Sequence, residues 1–419
     1  MNTIIRQRRL QHSAKTPSTR IQCRPLKRGA QIEATPFMTT TAKRSYFVCT
    51  KCVMDTTDSL IRFDDQGVCE YCKNFYENIL PNWHTDKRGE DEIMSIVDRI
   101  KAEGKGWEHD CLLGISGGVD SSYMAYFAKE KFGLRPLIFH VDTGWNSQEA
   151  VNNIERVVDG LGLELHTEVV NWLEMQDLQL AFFKSLVPSQ DTPQDHCFGA
   201  ALYNYAAQHG YKYILNGGNY STECVREPLE WCYHPSDLRQ LRDIHRRFGK
   251  RELKTFPLCD IFTYKIWYRY AKGVKVVRLL NYVPYVKDDA MNLLADRFGW
   301  QKYPHKHYES RFTRFVDGYW LPKKYGFDKR KPHFSSLILT NQMTREEALE
   351  KLKTPAYDEA TAANDIEYIA NKLNVSVDEI VGYINGPKKS HKDYKTASFS
   401  IALGTIIMRM LGVQRSVMR

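Results

Sequence analysis

Two groups of residues in this sequence have the types and spacings needed to bind a metal ion or a ligand. The first group is a set of four cysteines. Cys49, Cys52, Cys69 and Cys72 read C-x2-C-x16-C-x2-C. Two cysteines three residues apart can place their sulfurs on one edge of a tetrahedron, and a second pair supplies the opposite edge. The quartet predicts a structural Zn2+ site in which protein ligands fill every position. An iron–sulfur cluster and four unligated buried thiols are the alternatives.

The second group is the stretch GISGGVDSS, residues 114–122, which follows the apolar run CLL and precedes a helix-like run. Glycines at a strand-to-helix turn let backbone N–H groups approach a ligand, and the helix N-terminus adds partial positive charge. Ser116, Ser121 and Ser122 offer hydroxyl donors, and Asp120 is expected to hold Mg2+ against phosphate oxygens. The stretch predicts a phosphate-binding loop, although its spacing is neither G-x-x-x-x-G-K-[ST] nor G-x-G-x-x-G. A serine-rich turn without a ligand is the alternative.

The elements that must position this loop alternate along the chain from about residue 110. Strands are expected at CLLGI, PLIFHVDT, ELHTEVV and YKYILNGG, with helices between them, the first running from Ser122 to Phe132. Near-continuous apolar strands that alternate with helices predict an α/β fold with a parallel sheet covered on both faces. Ligands of such sheets bind beyond the carboxyl ends of the strands, which is where GISGGVDSS falls.

The positive charge of the chain is confined to its start. The net charge is +9, and residues 1–48 carry ten Lys and Arg against one acidic residue, Glu33, which leaves the remaining 371 residues neutral. A neutral body does not favour a nucleic-acid partner. The basic segment has the composition of an organelle transit peptide; a disordered tail, or an extension upstream of a natural start at Met38, are the alternatives.

Compartment and membrane association follow from the cysteines and the apolar runs. Apart from the quartet, the six cysteines are scattered, which favours a reducing cytoplasm over a disulfide framework. The C-terminal run FSIALGTIIMRMLGV includes Arg409 and is shorter than the roughly 20 apolar residues that a membrane span requires. The sequence therefore predicts a cytoplasmic protein without a membrane span.

The motif SGGVDSS after an apolar strand resembles the pyrophosphate-binding loop of the N-type ATP pyrophosphatases, the PP-loop superfamily. These enzymes cleave ATP between its α and β phosphates and adenylate a carbonyl oxygen. The resemblance implies an adenine-nucleotide alpha-hydrolase-like core. It also implies that ATP, its pyrophosphate and Mg2+ are bound by Ser116, Gly117, Gly118, Asp120, Ser121, Ser122, His140, Asp142, Gly217 and Gly218, with Trp145 beside the adenosine.

A narrower resemblance combines the cysteine quartet with a long C-terminal stretch. That stretch, residues 306–352, begins KHYESRFTRFVDGYW, and with the quartet it resembles the N-acetyl sugar amidotransferases of bacterial surface-polysaccharide biosynthesis. These enzymes convert an acetamido group into an acetamidino group. The resemblance implies that the N-acetyl oxygen of a nucleotide-activated sugar attacks ATP and that ammonia then displaces AMP. It also implies separate glutaminase and ammonia-channelling partners, because the chain lacks the usual signs of a built-in glutaminase.

Catalytic roles are expected for Asp120 and Ser116 in the loop and for Lys306, Glu309 and Arg314 in the C-terminal stretch, where a solvated basic face is the alternative. Two other functions stay open. A tRNA-thiolating PP-loop enzyme would give Cys197 a role in sulfur transfer, although Cys197 lacks a CxxC partner and is expected to be structural. A non-catalytic assembly subunit would use ATP only to gate partner binding.

These assignments predict five segments. A basic extension, expected to be disordered, covers 1–45, a zinc-ribbon module 46–80 and a helical linker 81–109. The PP-loop core covers 110–285. A mostly helical region at 286–419 is expected to contact the substrate or the partner subunits.

Overall fold

A computed structural model describes residues 45–303 and 308–410 of the 419-residue chain. The basic segment at the start and the predicted catalytic residue Lys306 lie outside the described residues. No described helix has both the length and the apolar content needed to cross a bilayer.

The described residues form a five-stranded parallel sheet in the order β3-β2-β1-β4-β5. The strands are β1 (Cys111–Gly114), β2 (Pro136–Asp142), β3 (Leu165–Val169), β4 (Tyr213–Leu215) and β5 (Lys275–Val277). β1 lies at the centre, with Leu113 opposite Ile138 of β2 and Leu215 of β4. The predicted α/β class with a parallel sheet is confirmed.

β5 is the strand that the sequence did not predict. It is three residues long and begins with the exposed Lys275, so it lacks the apolar run that signals a buried strand. Pairing holds it in place, because Tyr213 to Leu215 of β4 lie opposite Lys275 to Val277. The strand brings the residue that follows it, Arg278, to the carboxyl edge of the sheet.

Helices surround the sheet and make up most of the C-terminal part. The α-helices are α1 (Glu70–Asn74), α2 (Lys87–Glu103), α3 (Val119–Tyr126), α4 (Gln148–Leu161), α5 (Trp172–Ser185), α6 (Thr192–His209), α7 (Tyr220–Glu223), α8 (Leu238–Phe248), α9 (Lys287–Phe298), α10 (Arg311–Phe315), α11 (Arg330–Leu339), α12 (Arg345–Lys353), α13 (Glu359–Leu373), α14 (Val377–Asn385) and α15 (Ser398–Met410). Wider π-helical turns occupy Phe75–Ile79, Phe127–Lys131, Thr263–Ala271 and Val316–Tyr325, and 3-10 turns occupy Leu80–Asn82, Leu279–Tyr282 and His391–Asp393. The predicted mostly helical C-terminal region is confirmed.

Local sequence explains the ends of the helix beside the loop. The side chain of Ser147 caps α4 by accepting a hydrogen bond from the Ala150 N–H at 3.1 Å. Gly162 ends the helix in the left-handed conformation, at φ +56°, which glycine adopts without strain. Between these ends, Ile154, Val157 and other apolar residues of one face are buried in the core that also contains β1 and α3.

The four-cysteine module packs against the C-terminal helices. Arg345 of α12 donates to the carbonyl oxygens of Cys49 and Cys52 at 2.8 Å and 3.1 Å, and Ser335 of α11 accepts from the Val53 N–H. The apolar residues of the module, Met54 and Ile61 among them, share one core with residues that follow β4. The module therefore connects the C-terminal helices to the carboxyl edge of the sheet.

Candidate active site

The predicted phosphate-binding loop connects β1 to α3 at the carboxyl end of the central strand. Gly117 has φ +84°, and a Cβ atom built on it would lie 2.7 Å from the carbonyl oxygen of Ala150 in α4. Glycine is required there for both reasons. Gly118 precedes the first turn of α3, and no side chain caps that turn. The first N–H groups of α3 are therefore left for a ligand, and they suit an anion.

Two of the predicted serines brace this loop. The hydroxyl of Ser121 accepts from the Ser116 N–H at 3.3 Å and donates to the Gly118 carbonyl at 3.2 Å. The Ser116 hydroxyl accepts from the Gly118 N–H at 3.3 Å and lies 3.3 Å from the Ser121 hydroxyl. Both hydroxyls lie at the mouth of the loop, as a phosphate cradle requires.

Ser122 is placed differently from the prediction. Its side chain is fully buried, and its Oγ has no hydrogen-bond partner among the described residues. The cause is the helical period, because Ser122 follows Val119 by three residues and so shares the inward face of α3. The structure does not bring this hydroxyl to the open side of the loop.

The carbonyl of Gly117 is held by two residues that sequence reasoning missed. Trp300 Nε1 donates to it at 3.1 Å, and the Tyr303 hydroxyl donates at 3.3 Å. The Tyr303 hydroxyl in turn accepts from Asn153 of α4 at 3.0 Å. The segment after α9 thus fixes the orientation of the Gly117 carbonyl and, with it, the turn that leads into α3. No sequence signal connects Trp300 with a glycine 183 positions earlier.

Asp120, in the first turn of α3, is oriented by two further residues that the sequence did not single out. Asn219 Nδ2 donates to Asp120 Oδ1 at 3.0 Å, and the Tyr285 hydroxyl donates to the same oxygen at 2.7 Å. Asn219 also caps α7 by accepting from the Thr222 N–H at 2.9 Å. Fixing one carboxylate oxygen in this way sets the direction of the other, which suits a residue expected to bind Mg2+ beside phosphate.

The predicted pair Gly217 and Gly218 closes against the loop. A Cβ atom on Gly217 would lie 2.8 Å from the backbone of Asp120 and Ser121, so this position requires glycine. The Gly218 N–H donates to Asn216 Oδ1 at 2.8 Å. The structure therefore brings the turn after β4 into direct contact with the turn after β1.

At the end of β2 the three predicted residues have different environments. His140 is buried; its Nδ1 lies 3.1 Å from the Ile115 carbonyl and its Nε2 lies 3.0 Å from Asn146 Nδ2. Burial lowers the pKa of His140 below the ordinary histidine value, so the ring is neutral. A neutral ring that donates from Nδ1 and accepts at Nε2 satisfies both contacts, so His140 supports the loop. Asp142 is half-buried and accepts from the Gly144 N–H at 2.8 Å.

Trp145, expected beside the adenosine, lies in a packed core and has no exposed surface to offer a ligand. Its side chain is fully buried, with its ring 5.3 Å from that of Trp172 and 4.7 Å from that of Phe312 in the core of the C-terminal helices. A large apolar ring near the end of β2 is more favourable in that core than exposed at a ligand-binding edge. Trp145 therefore anchors the C-terminal helices to the sheet.

The C-terminal stretch reaches the loop through Glu309. Asn146 and Ser310 form an antiparallel bridge, in which the Ser147 N–H donates to the Glu309 carbonyl at 2.9 Å. The side chain of Glu309 extends over the loop, and a Cβ atom built on Gly118 would lie 3.0 Å from its Oε1. A residue of the region expected to contact the substrate or the partner subunits is thus adjacent to the predicted phosphate cradle.

Arg314 has a structural partner. Its guanidinium donates to both carboxylate oxygens of the fully buried Asp365, at 2.9 Å and 2.8 Å, and Arg311 and Tyr357 donate to the same carboxylate. Burial raises the pKa of Asp365, and the hydrogen bonds from Arg314, Tyr357 and Arg311 outweigh it and lower the pKa below the usual range. This arrangement joins α10 to α13, and the catalytic role of Arg314 stays a prediction.

The four predicted metal ligands converge. All four cysteines are fully buried, and the Sγ atoms of Cys49 and Cys72, Cys52 and Cys69, and Cys69 and Cys72 are 3.9, 3.6 and 3.6 Å apart. A tetrahedral zinc ion with Zn–S bonds of about 2.3 Å separates its sulfurs by about 3.8 Å. An iron–sulfur cluster places its own iron and sulfide atoms between the cysteines. Because all four sulfurs lie within 4.8 Å of one another, the donor set fits a single tetrahedral ion.

Comparison with known proteins finds a family whose model is similar to the C-terminal part of the chain. Residues 309–408 match the family described as LPS biosynthesis protein WbpG-like, C-terminal domain. The match begins at Glu309, the residue that overlies the loop. It bears out the relationship of this region to a surface-polysaccharide family that the sequence predicted.

Similarity to other proteins covers a larger share of the chain. Uncharacterized protein MJ1599 of Methanocaldococcus jannaschii is 23% identical over 318 residues, which cover 73% of this chain and 93% of the relative. The NH(3)-dependent NAD(+) synthetase of Methanococcoides burtonii is 28% identical over 138 residues, 30% of this chain and 49% of the synthetase. The structure of NMN synthetase from Francisella tularensis aligns with 68% of this chain and 94% of its own, at 14% identity and a TM-score of 0.32.

Proposed function

We propose that this protein, whose residues 309–408 match the WbpG-like C-terminal domain, is an ATP-dependent amidotransferase acting on an N-acetyl group of a nucleotide-activated sugar. The reaction converts the acetamido group into an acetamidino group and ATP into AMP and pyrophosphate. In broader terms, we propose an ATP-using synthetase of the PP-loop superfamily, and the similarity to the NAD(+) synthetase supports this broader proposal.

The observation that carries the proposal is the contact between the two parts of the site. The phosphate cradle of Gly117, Gly118 and Ser116 belongs to the sheet, whereas Glu309 belongs to the region that matches a lipopolysaccharide family. An acceptor bound by that region would lie next to the α-phosphate of an ATP molecule whose pyrophosphate occupies the cradle. This proximity is what an in-line attack on the α-phosphate requires.

The chemistry needs no nucleophilic side chain. The N-acetyl oxygen attacks the α-phosphorus, the bond to pyrophosphate breaks, and an adenylated imidate forms. Ammonia then adds to the imidate carbon, loses a proton, and displaces AMP, which carries away the former acetyl oxygen. The N–H groups at the start of α3 and the hydroxyls of Ser116 and Ser121 would stabilise the leaving pyrophosphate. Asp120 would hold the Mg2+ that neutralises its charge, and the zinc module would have a structural role.

Ammonia is proposed to come from a partner. The amidation requires one ammonia molecule per turnover, and we expect a separate glutaminase with an ammonia-channelling subunit to deliver it. Free ammonium at high concentration would replace this partner in a purified assay, so the proposed chemistry is testable on the chain alone.

The testing experiment measures pyrophosphate release from ATP and Mg2+ with ammonium present. A panel of nucleotide-activated N-acetyl sugars is compared with bulk tRNA, and Asp120→Ala serves as the inactive control. We expect release that depends on one of the sugars and a product lighter by about one mass unit, because NH replaces oxygen. Release without any sugar dependence would contradict the proposal.

Pyrophosphate release that depends on tRNA would instead indicate an RNA-modifying enzyme. The position of Cys197 does not favour that outcome. Cys197 is fully buried in the second turn of α6, and burial raises the pKa of its thiol, which disfavours the thiolate that sulfur transfer needs. Cys197→Ala is therefore expected to retain sugar-dependent turnover.

A further inference from the structure

Arg278 has an unusual environment at the carboxyl edge of the sheet. It directly follows β5, where the Asn216 N–H donates to the carbonyl of Val277 at 2.9 Å. Its Nε is buried and has no hydrogen-bond partner among the described residues. Leaving a buried donor of a charged group unsatisfied costs stability, and a bound ligand that supplies an acceptor removes that cost.

The surroundings of Arg278 indicate where such a ligand would lie. A Cβ atom built on Gly218 would lie 3.5 Å from the Arg278 Cζ, and one built on Gly217 would lie 2.8 Å from the backbone of Asp120 and Ser121. Only a two-glycine backbone therefore separates the guanidinium from the first turn of α3. Because neither glycine carries a side chain, the guanidinium and the uncapped start of α3 both pack closely against this turn.

Charge and geometry select an anionic ligand. Ser116, Ser121 and the N–H groups of α3 offer hydrogen bonds without a formal positive charge, whereas pyrophosphate carries several negative charges. A guanidinium supplies that charge together with donors in a fixed plane that match phosphate oxygens. Glu223 Oε2 lies 3.4 Å from the same Gly218 position, so the guanidinium is the group near this turn that can donate to an anion.

The geometry points to Arg278 as a phosphate-binding residue that contacts the pyrophosphate portion of ATP and stabilises it as it leaves. This inference rests on the proposed use of ATP and extends the site from the loop after β1 to the end of β5. In this assignment the Nε donor that is unsatisfied in the free protein is satisfied by a phosphate oxygen.

The test measures binding of inorganic pyrophosphate with Mg2+ to the full chain by calorimetry, together with the melting temperature with and without pyrophosphate. Arg278→Met removes the charge and the donors while keeping the length of the side chain. Arg278→Lys keeps the charge without the planar donors. Arg99→Met, on the exposed face of α2, is the matched control.

We expect Arg278→Met to weaken pyrophosphate binding at least tenfold, Arg278→Lys to weaken it by less, and Arg99→Met to leave it unchanged. Without pyrophosphate, Arg278→Met should melt no earlier than the wild type, because the variant loses an unsatisfied donor.

Two results would overturn the inference. The first is binding by Arg278→Met within twofold of the wild type. The second is a lower melting temperature of the free variant, which would make Arg278 a structural residue. Pyrophosphate binding through Arg278 in a chain that amidates no sugar would contradict only the proposed acceptor. A wild type that binds no pyrophosphate would contradict both proposals.

Discussion

The carboxylate of Glu309 lies over Gly118, with its Oε1 3.0 Å from the position that a Cβ atom on Gly118 would occupy. The contact joins the first residue of the WbpG-like region to the residue that precedes the first turn of α3. The backbone of Glu309 is fixed independently, because its carbonyl accepts from the Ser147 N–H. The side chain can therefore be changed without displacing the segment.

Glu309→Gln is expected to lower the turnover of the proposed amidation at least tenfold. A carboxylate beside the cradle is placed to accept the proton that ammonia loses on attack, and an amide cannot do so. The measurement is steady-state turnover with saturating ATP, sugar and ammonium. Glu359→Gln, an exposed residue that pairs with Lys323, is the control. Equal turnover of Glu309→Gln and the wild type would remove Glu309 from the reaction.

Gly217→Ala is expected to abolish pyrophosphate release while Gly199→Ala preserves it. The new Cβ at Gly217 would lie 2.8 Å from the backbone at the start of α3, and it would push the turn after β4 away from the loop. Gly199, inside α6, has no atom within 4 Å of such a Cβ, so alanine there should stabilise the fold by about 1 kcal/mol. Activity assays and urea unfolding of both variants test this pair, and an active Gly217→Ala protein would show that the two turns need not touch.

Metal analysis of the purified chain is expected to find one zinc ion per molecule and no iron. Cys52→Ser should lose that zinc and lower the melting temperature. Without the metal the turn from Cys49 to Cys52 is no longer held in place, and Arg345 loses its hydrogen bonds to the carbonyls of Cys49 and Cys52. Cys111→Ser, at a buried cysteine outside the quartet, controls for the loss of a thiol. Stoichiometric iron and sulfide in the native protein would contradict the zinc assignment.

The free energy of unfolding is expected to fall as the pH is lowered through the ordinary histidine pKa of about 6.5. Burial lowers the pKa of His140, His196 and His234 in the folded state, so below pH 6.5 the unfolded chain binds more protons than the folded chain. The stabilisation that these neutral histidines contribute to the folded state is fully present above pH 6.5 and is lost as the pH falls below it. Urea unfolding at pH 7.5 and pH 5.5 measures the difference.

His140→Gln should reduce this pH dependence, because glutamine does not titrate and can still donate to the Ile115 carbonyl. His166→Gln, at a half-exposed position on β3, is the control. If the free energy of unfolding of the His140 variant fell with pH as much as that of the wild type, His140 would not contribute to the pH dependence.

The sequence by itself determined the features whose residues are contiguous or closely spaced. The phosphate loop, the cysteine quartet and the first four strands each follow from a short run, because turn geometry, metal spacing and strand burial depend on neighbours along the chain. The sequence did not predict the fifth strand, because pairing with β4, and not its own apolar content, makes Lys275–Val277 a strand.

Only the tertiary structure decided which distant residues complete the site. Trp300, Tyr303, Asn219 and Tyr285 lie far from the loop in sequence, and hydrogen bonds that form only after packing bring them to Gly117 and Asp120. Packing also decided which predicted residues turn inward. The helical period buries Ser122, and the apolar core of the C-terminal helices takes Trp145, because removing a large ring from water is more favourable than exposing it at the edge of the sheet.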